Sequence, residues 1–187
     1  MIKLNEVIDG LEFVNDGLDA HAYFNPDKNE IFYIGEYDTF DDEDEYEDLI
    51  ESCVMFPSKY DIHEYSMMED FIETIDDVKL YNQLCIAING PGAFRRFKDT
   101  CINFEIIEDW YKFRDKKYKE IAINWCKENN IDYLFIAGDL YEHNYIRKST
   151  IEYINDLFKQ ISQTKIFITP GNHDPYISNS MYRNFKW

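Results

Sequence analysis

The spacing of hydrophobic residues changes along this chain. Leu4, Val7, Ile8 and Leu11 recur at helical spacing and predict a helix near the N-terminus. Two apolar segments then flank the turn residues 25–29 and predict a β-hairpin. From residue 64 onward the pattern is helical again. The strands of the predicted hairpin cover 21–24 and 30–34, and the later helices cover 64–75, 78–88, 93–102 and 108–129.

The last third of the chain has a different order of elements. The apolar runs 134–137 and 166–169 predict two strands. Between them, Ile151, Ile154 and Leu157 keep helical spacing, and Ser149 or Thr150 could cap that helix. A strand, helix, strand unit of this kind places its two strands parallel with a right-handed crossover. The whole chain is therefore predicted to combine an α+β N-terminal part with an α/β (βαβ) C-terminal part.

Each of these two strands is followed directly by a polar string. The first string runs from Gly138 to His143 and the second from Gly171 to Asp174. Ligands of open α/β sheets bind at the carboxyl ends of the strands, so both strings are expected at one edge of the sheet. Glycine–aspartate and glycine–asparagine pairs are also ordinary turn residues, so each string alone is compatible with a simple turn.

The residue types in the two strings suit metal and proton chemistry. Asp139 and Asn172 offer oxygen ligands for a divalent cation such as Mn or Fe. His173 titrates near neutrality and could assist a leaving group. Glu142 could accept the second imidazole proton of His173 and so fix its tautomer.

Together the two strings resemble the signatures of the calcineurin-like metallophosphoesterases, Gly-Asp-x-x-(Asp/Glu) and Gly-Asn-His-(Asp/Glu). The longer segments that contain these strings, LFIAGDLYEH and KIFITPGNHDPY, are similar to the nuclease subunit of the bacterial DNA double-strand-break repair complex. This resemblance covers residues 131–187. It implies Asp139 as a bridging metal ligand, Asn172 as a ligand to one metal, His173 as the catalytic histidine and Glu142 as its orienting partner.

The resemblance also implies ligands that this sequence does not supply. An Asp-x-His is expected shortly before Asp139, and a Gly-His-x-His after Asn172. The four histidines of the chain are His21, His63, His143 and His173. Asp61-Ile62-His63 has the letters of an Asp-x-His, but it follows a polar segment rather than a strand and lies 78 residues before Asp139. We therefore expect an incomplete phosphoesterase core that is inactive alone and takes a metal only if its site is completed.

The charge is unevenly distributed along the chain. The formal net charge is −18, yet residues 131–187 hold six acidic and six basic residues, so residues 1–130 carry the whole excess. This change in composition predicts two domains, 1–130 and 131–187. We expect no direct binding of nucleic acid by the acidic part, because phosphates would be repelled.

Two alternatives to a phosphoesterase fragment remain open at this stage. The acidic part could make the chain a non-catalytic binding or regulatory module with a basic protein partner. The chain could also be a truncated or chimeric product without activity. The acidic run within 36–51 lacks the glycine and closing glutamate of a calcium-binding EF-hand, and it predicts a solvated loop leading into a helix over 45–52.

A second resemblance concerns the N-terminal part. The strings GAFRRFKD and WYKFRD are similar to an uncharacterised family of small bacterial proteins over about residues 1–130, and this family implies no chemistry. The glycine-rich turn before Arg95 and Arg96 could hold an anion. The alternative is a plain helix–helix turn whose arginines offset nearby acids.

Composition excludes several classes of protein. With 45% hydrophobic and 17% aromatic residues the chain can form a globular core. No apolar run approaches the roughly 18 residues of a membrane span, and residues 1–6 lack the apolar region of a signal peptide, so neither is expected. The four cysteines are widely spaced and predict reduced thiols. These features predict a cytoplasmic protein without membrane contact.

Overall fold

A computed structural model describes residues 2–16, 19–35, 38, 43–143 and 146–185, and it confirms a mixed α+β fold. The strands are β1 (Ile2–Lys3), β2 (His21–Asn25), β3 (Glu30–Ile34), β4 (Val54–Met55), β5 (Tyr133–Ala137) and β6 (Lys165–Thr169). The helices are α1 (Leu4–Asp16), α2 (Glu43–Glu51), α3 (Lys59–Ile62), α4 (Glu64–Ile72), α5 (Val78–Ala87), α6 (Ala93–Asn103), α7 (Ile107–Glu128), α8 (Lys148–Gln160) and α9 (Met181–Asn184).

The chain divides into two compact units. Unit 1 combines Met1–Ser58 with Glu120–Trp187, and unit 2 is Lys59–Lys119. The division falls inside α7, which contributes residues to both units. The boundary expected at residue 130 was based on charge and on sequence resemblance, whereas the two units are defined by compactness. The expected boundary therefore stays a prediction.

The first sheet of unit 1 is parallel and has the order β1-β5-β6. The pairing of β5 with β6 runs from Tyr133 opposite Lys165 to Ala137 opposite Thr169, which confirms the predicted parallel strands. The predicted helix between them is α8, whose buried residues are Ile151, Ile154 and Leu157. Since many α/β folds contain such a unit, the sheet does not establish a phosphoesterase core.

Strand β1 is the part of this sheet that the hydrophobic pattern did not predict. Its two residues pair with β5, Ile2 opposite Leu134 and Lys3 opposite Phe135. Ile2 is buried and Lys3 is exposed. The N-terminus and the C-terminal βαβ unit therefore share one sheet.

The second sheet of unit 1 is antiparallel, with the order β3-β2-β4. The β2–β3 pairing confirms the predicted hairpin, with Asn25 opposite Glu30 beside the turn. Trp125 of α7 stacks on Phe56 with a centroid distance of 4.4 Å, and its indole N–H donates to the carbonyl of Met55 at 2.9 Å. These contacts join α7 to β4 within unit 1.

Unit 2 is helical and has an aromatic core. Phe71 of α4 makes edge contacts with Phe97 of α6 and with Trp110 and Phe113 of α7. The four predicted helices correspond to α4, α5, α6 and α7 with ends that differ by at most three residues. The polar segment before α4, expected as a loop, contains the single helical turn α3.

The glycine-rich turn between α5 and α6 is held by Arg96. Its guanidinium donates to the carbonyls of Ala87 at 3.1 Å and Asn89 at 2.5 Å, and also to those of Gly90 and Pro91. Because these contacts lie within the turn, the guanidinium closes it rather than facing an anion. The turn alternative is therefore the better description of this string.

All four cysteines are free, and burial raises the pKa of Cys101 and of Cys126 to about 12. Thiols with such a pKa are poor nucleophiles at neutral pH.

Within the described part of the chain, no helix has both the length and the apolar character needed to cross a membrane.

Candidate functional site

The two polar strings approach each other where β5 and β6 end. Gly138 follows β5 in a left-handed conformation with φ +82°. A Cβ atom at this position would lie only 2.6 Å from the Cα of Gly171 in the second string. The two backbones can touch because both residues are glycines.

Asp139 links the two strings through its side chain. Its backbone is also left-handed, with φ 54°, which is uncommon for a residue with a side chain. Its Oδ1 accepts a hydrogen bond of 2.9 Å from the backbone N–H of His173. The carboxylate of the first string is thereby fixed against the second string at an exposed position.

The side chains of His173 and Glu142 form a hydrogen-bonded pair. The imidazole Nδ1 lies 2.8 Å from Glu142 Oε2, and the two side chains are 57% and 39% exposed. This hydrogen bond raises the pKa of His173 above its ordinary value, and the negative charges of Asp139, Glu142 and Asp174 act in the same direction. With Nδ1 engaged, Nε2 is the nitrogen available to another molecule.

Asp174 is the functional candidate that sequence reasoning missed. It is fully buried although it sits in a polar string. Its Oδ1 accepts from the backbone N–H groups of Gly171 at 2.5 Å and Asp139 at 2.9 Å, and its Oδ2 accepts from that of Leu140 at 2.8 Å. Hydrophobic periodicity gives no signal for a buried carboxylate in a turn.

Tyr182 of α9 contributes a further hydrogen bond to the same carboxylate. Its hydroxyl donates to Asp174 Oδ2 at 2.5 Å, and its ring lies 5.3 Å from that of Tyr141. Burial raises the pKa of Tyr182, and the hydrogen bond to Asp174 raises it further. Tyr182 therefore stays a neutral donor throughout the physiological pH range.

His143 closes the first string against the second. Its backbone N–H donates to the carbonyl of His173 at 2.9 Å. Its Nδ1 is buried without a hydrogen-bond partner among the described residues, which exclude the neighbouring positions 144–145.

The donor set fits part of a metal centre. Asn172 is exposed, and its amide oxygen and the carboxylate of Asp139 are the kind of donors that Mn or Fe accepts. Within the described ranges, however, no group of three or more His, Cys, Asp or Glu side chains is arranged to hold a metal ion. Asp61 and His63 belong to unit 2, where the ring of His63 forms a hydrogen bond with Ser66 at the start of α4.

Taken together, the fold and the site define a mixed α+β protein with a compact polar loop cluster at the end of a parallel sheet. The chain belongs to the uncharacterised protein family UPF0158, whose family model matches residues 1–149. The matched range contains Asp139 and Glu142 and ends before Asn172 and His173. It confirms the family suggested by GAFRRFKD and WYKFRD, while no metallophosphoesterase family is shown.

A curated relative supports the same assignment. The chain is 27% identical over 66 residues to the UPF0158 protein PA5073 of Pseudomonas aeruginosa. The aligned region covers 35% of this chain and 43% of that relative, so the chain spans less than half of the relative's length. No solved structure matches the chain.

Proposed function

We propose that residues 131–187 provide part of a metal-dependent phosphoesterase centre, of the DNA-repair exonuclease type, which is inactive alone. The observation that supports it is the arrangement of Asp139, His173 and Glu142 across two adjacent loops, with contacts of 2.9 Å and 2.8 Å. His173 meets Asp139 and Glu142 although it lies more than 30 residues away from both in the sequence. A simple turn requires no such convergence.

Each residue has a distinct role in this proposal. Asp139 and Asn172 would hold a divalent ion of the Mn or Fe type, which when bound would polarise a phosphate oxygen. The hydrogen bond to Glu142 raises the pKa of His173 and so favours its protonated form, which would give its Nε2 proton to the leaving oxygen of the ester. Glu142 keeps the imidazole oriented through Nδ1. Further metal ligands are needed for turnover, so the site must be completed from elsewhere.

A second function is favoured by the charge distribution. Since residues 1–130 carry the whole excess of negative charge, this part could bind a basic protein partner without any catalysis. This binding function requires neither Asp139 nor His173. A pull-down or titration with a basic partner would therefore be unaffected by substitutions at those two positions.

The first test of the phosphoesterase proposal is manganese binding. Asp139 and Asn172 give the partial site some affinity, so we expect the chain alone to bind Mn²⁺ weakly in an electron paramagnetic resonance titration, and Asp139→Asn to weaken that binding about tenfold or more. Tight binding is expected only when the site is completed. The matched control is Asp132→Asn, which removes an exposed carboxylate at the opposite end of β5. Equal affinities of Asp139→Asn and the original chain would overturn the proposal.

The second test is hydrolysis of bis(p-nitrophenyl) phosphate with added Mn²⁺, comparing the chain with Asp139→Ala and His173→Ala. An incomplete centre is expected to bind metal in the original chain, while the original chain and both variants hydrolyse the substrate only at the background rate. Hydrolysis that is lost in both variants would show that the centre is complete. Absence of both metal binding and hydrolysis would contradict the proposal.

A further inference from the structure

The buried carboxylate of Asp174 connects three separate pieces of unit 1. It accepts hydrogen bonds from Asp139 and Leu140 in the first string, from Gly171 in its own string and from Tyr182 on α9. The side chain has no exposed surface. It therefore cannot itself serve as an exposed ligand or as a group that meets a substrate.

Burying a carboxylate is unfavourable unless its charge is satisfied by donors. Here four donors surround the two oxygens, at distances from 2.5 to 2.9 Å. Hydrogen bonds to a charged acceptor are roughly twice as strong as neutral ones. This set of donors offsets the cost of burial and makes the geometry around Asp174 hard to vary.

One of the residues that Asp174 holds by a hydrogen bond is Asp139. A left-handed backbone at a residue with a side chain persists only where its surroundings impose it. The N–H group of Asp139 points at Asp174 Oδ1 in this conformation, and its own Oδ1 then meets the N–H of His173. The buried carboxylate of Asp174 thus fixes the orientation of the exposed carboxylate of Asp139.

We infer that Asp174, together with Tyr182, is a positioning residue that sets Asp139 and the 171–173 loop in the geometry of the candidate site. The role in metal binding rests on the proposed function, whereas the fixing of the loops does not. Asp174 acts through Asp139, and Tyr182 acts through Asp174. Removing the charge at 174 should therefore release both loops while leaving every exposed group of the site in the sequence.

The first experiment measures the loops in the metal-free chain. In amide hydrogen exchange followed by NMR, Asp174→Asn should lower the protection of the Asp139, Leu140 and Gly171 amides by about tenfold or more relative to the amides of β5. Tyr182→Phe should lower it less, because three donors remain. The control is Tyr176→Phe, an exposed tyrosine in the segment between Asp174 and α9. Unchanged protection in Asp174→Asn would overturn the inference.

The second experiment separates positioning from general stability. We expect Asp174→Asn to weaken Mn²⁺ binding about tenfold under conditions where circular dichroism shows the chain folded, and Tyr176→Phe to leave it unchanged. Loss of affinity that only tracks the unfolded fraction would show that Asp174 is merely structural, against the inference. If the original chain binds no Mn²⁺, the proposed function fails, and hydrogen exchange alone then decides whether Asp174 fixes the loops.

Discussion

Two glycine-containing regions of this protein use their charged side chains differently. The turn between α5 and α6 has Gly90 and Gly92 in left-handed conformations, and the pair of loops after β5 and β6 has Gly138 in one, in each case with charged side chains nearby. In the first, the guanidinium of Arg96 is engaged by the carbonyls of its own turn. In the second, the buried Asp174 satisfies the backbone N–H groups, so Asp139 and His173 remain exposed.

The comparison shows what distinguishes a structural polar string from a candidate site. A charged residue that satisfies the backbone of its own turn has little capacity left for a ligand. Where a separate buried residue satisfies the backbone, the exposed charges are available. The two loops of unit 1 meet this condition in part, because Asp174 accepts three backbone N–H groups and Asp139 Oδ1 accepts only that of His173. The turn of unit 2 does not meet it.

The largest expected effect on stability comes from substituting a glycine. Gly138 is tightly packed against the second loop, whereas Gly90 of the unit 2 turn has open space around it. Gly138→Ala should lower the free energy of unfolding by about 3 kcal/mol, because the new Cβ would meet Gly171 backbone. Gly90→Ala also has a positive φ but no atom within 4 Å, so it should cost only about 1 kcal/mol. Urea denaturation of the two variants checks the difference, and equal losses would contradict the close packing of the loops.

A smaller effect is expected at the arginines of the unit 2 turn. Arg96→Ala leaves several carbonyls without their donor and should cost about 2 kcal/mol of stability. Arg95→Ala removes an exposed side chain whose contact with Asp99 is 3.8 Å, and it should change stability by less than about 0.5 kcal/mol. Thermal unfolding of both variants tests this ranking. An equal effect at the two positions would mean that Arg96 does not hold the turn.

The smallest effect concerns the protonation of His173. Glu142→Gln should move the pKa of His173 down toward its ordinary value, as measured by NMR titration of the imidazole protons. Because the pKa is raised in the folded state, the pair stabilises the fold below the unfolded pKa of histidine, and that stabilisation is lost as the pH rises through the folded pKa. A titration unchanged in Glu142→Gln would show that the hydrogen bond does not form in solution.

Much of the fold was predictable because regular elements leave a period in the sequence. The hairpin, the helices α4 to α7 and the parallel β5-α8-β6 unit all follow from apolar spacing. Strand β1 was not predicted, because two residues are too few to define a period. The cap of α8 was predicted wrongly, since the helix begins at Lys148 with Arg147 as its N-cap and no side-chain cap bond.

The proximity of three candidate residues was predictable from the sequence, whereas the buried carboxylate that holds their loops was not. The strand-end strings indicated that Asp139, Glu142 and His173 would lie near one another, and the structure places them in contact across the two loops. The burial of Asp174 was not predictable, because it depends on donors that converge from positions 139, 140, 171 and 182. Such convergence is a property of the tertiary structure, and the acidic position that ends the Gly-Asn-His-(Asp/Glu) signature marks Asp174 without indicating its burial.

The most direct test of the central claim is paramagnetic broadening of backbone NMR signals by Mn²⁺, which compares the two turns in one sample. The proposed site predicts that signals of residues 138–143 and 171–174 disappear first, while those of 89–96 persist. The same titration of Asp139→Asn should leave the two loops unbroadened at that Mn²⁺ concentration. Broadening that begins elsewhere in the chain, or that is unchanged in Asp139→Asn, would contradict a metal site at the end of this sheet.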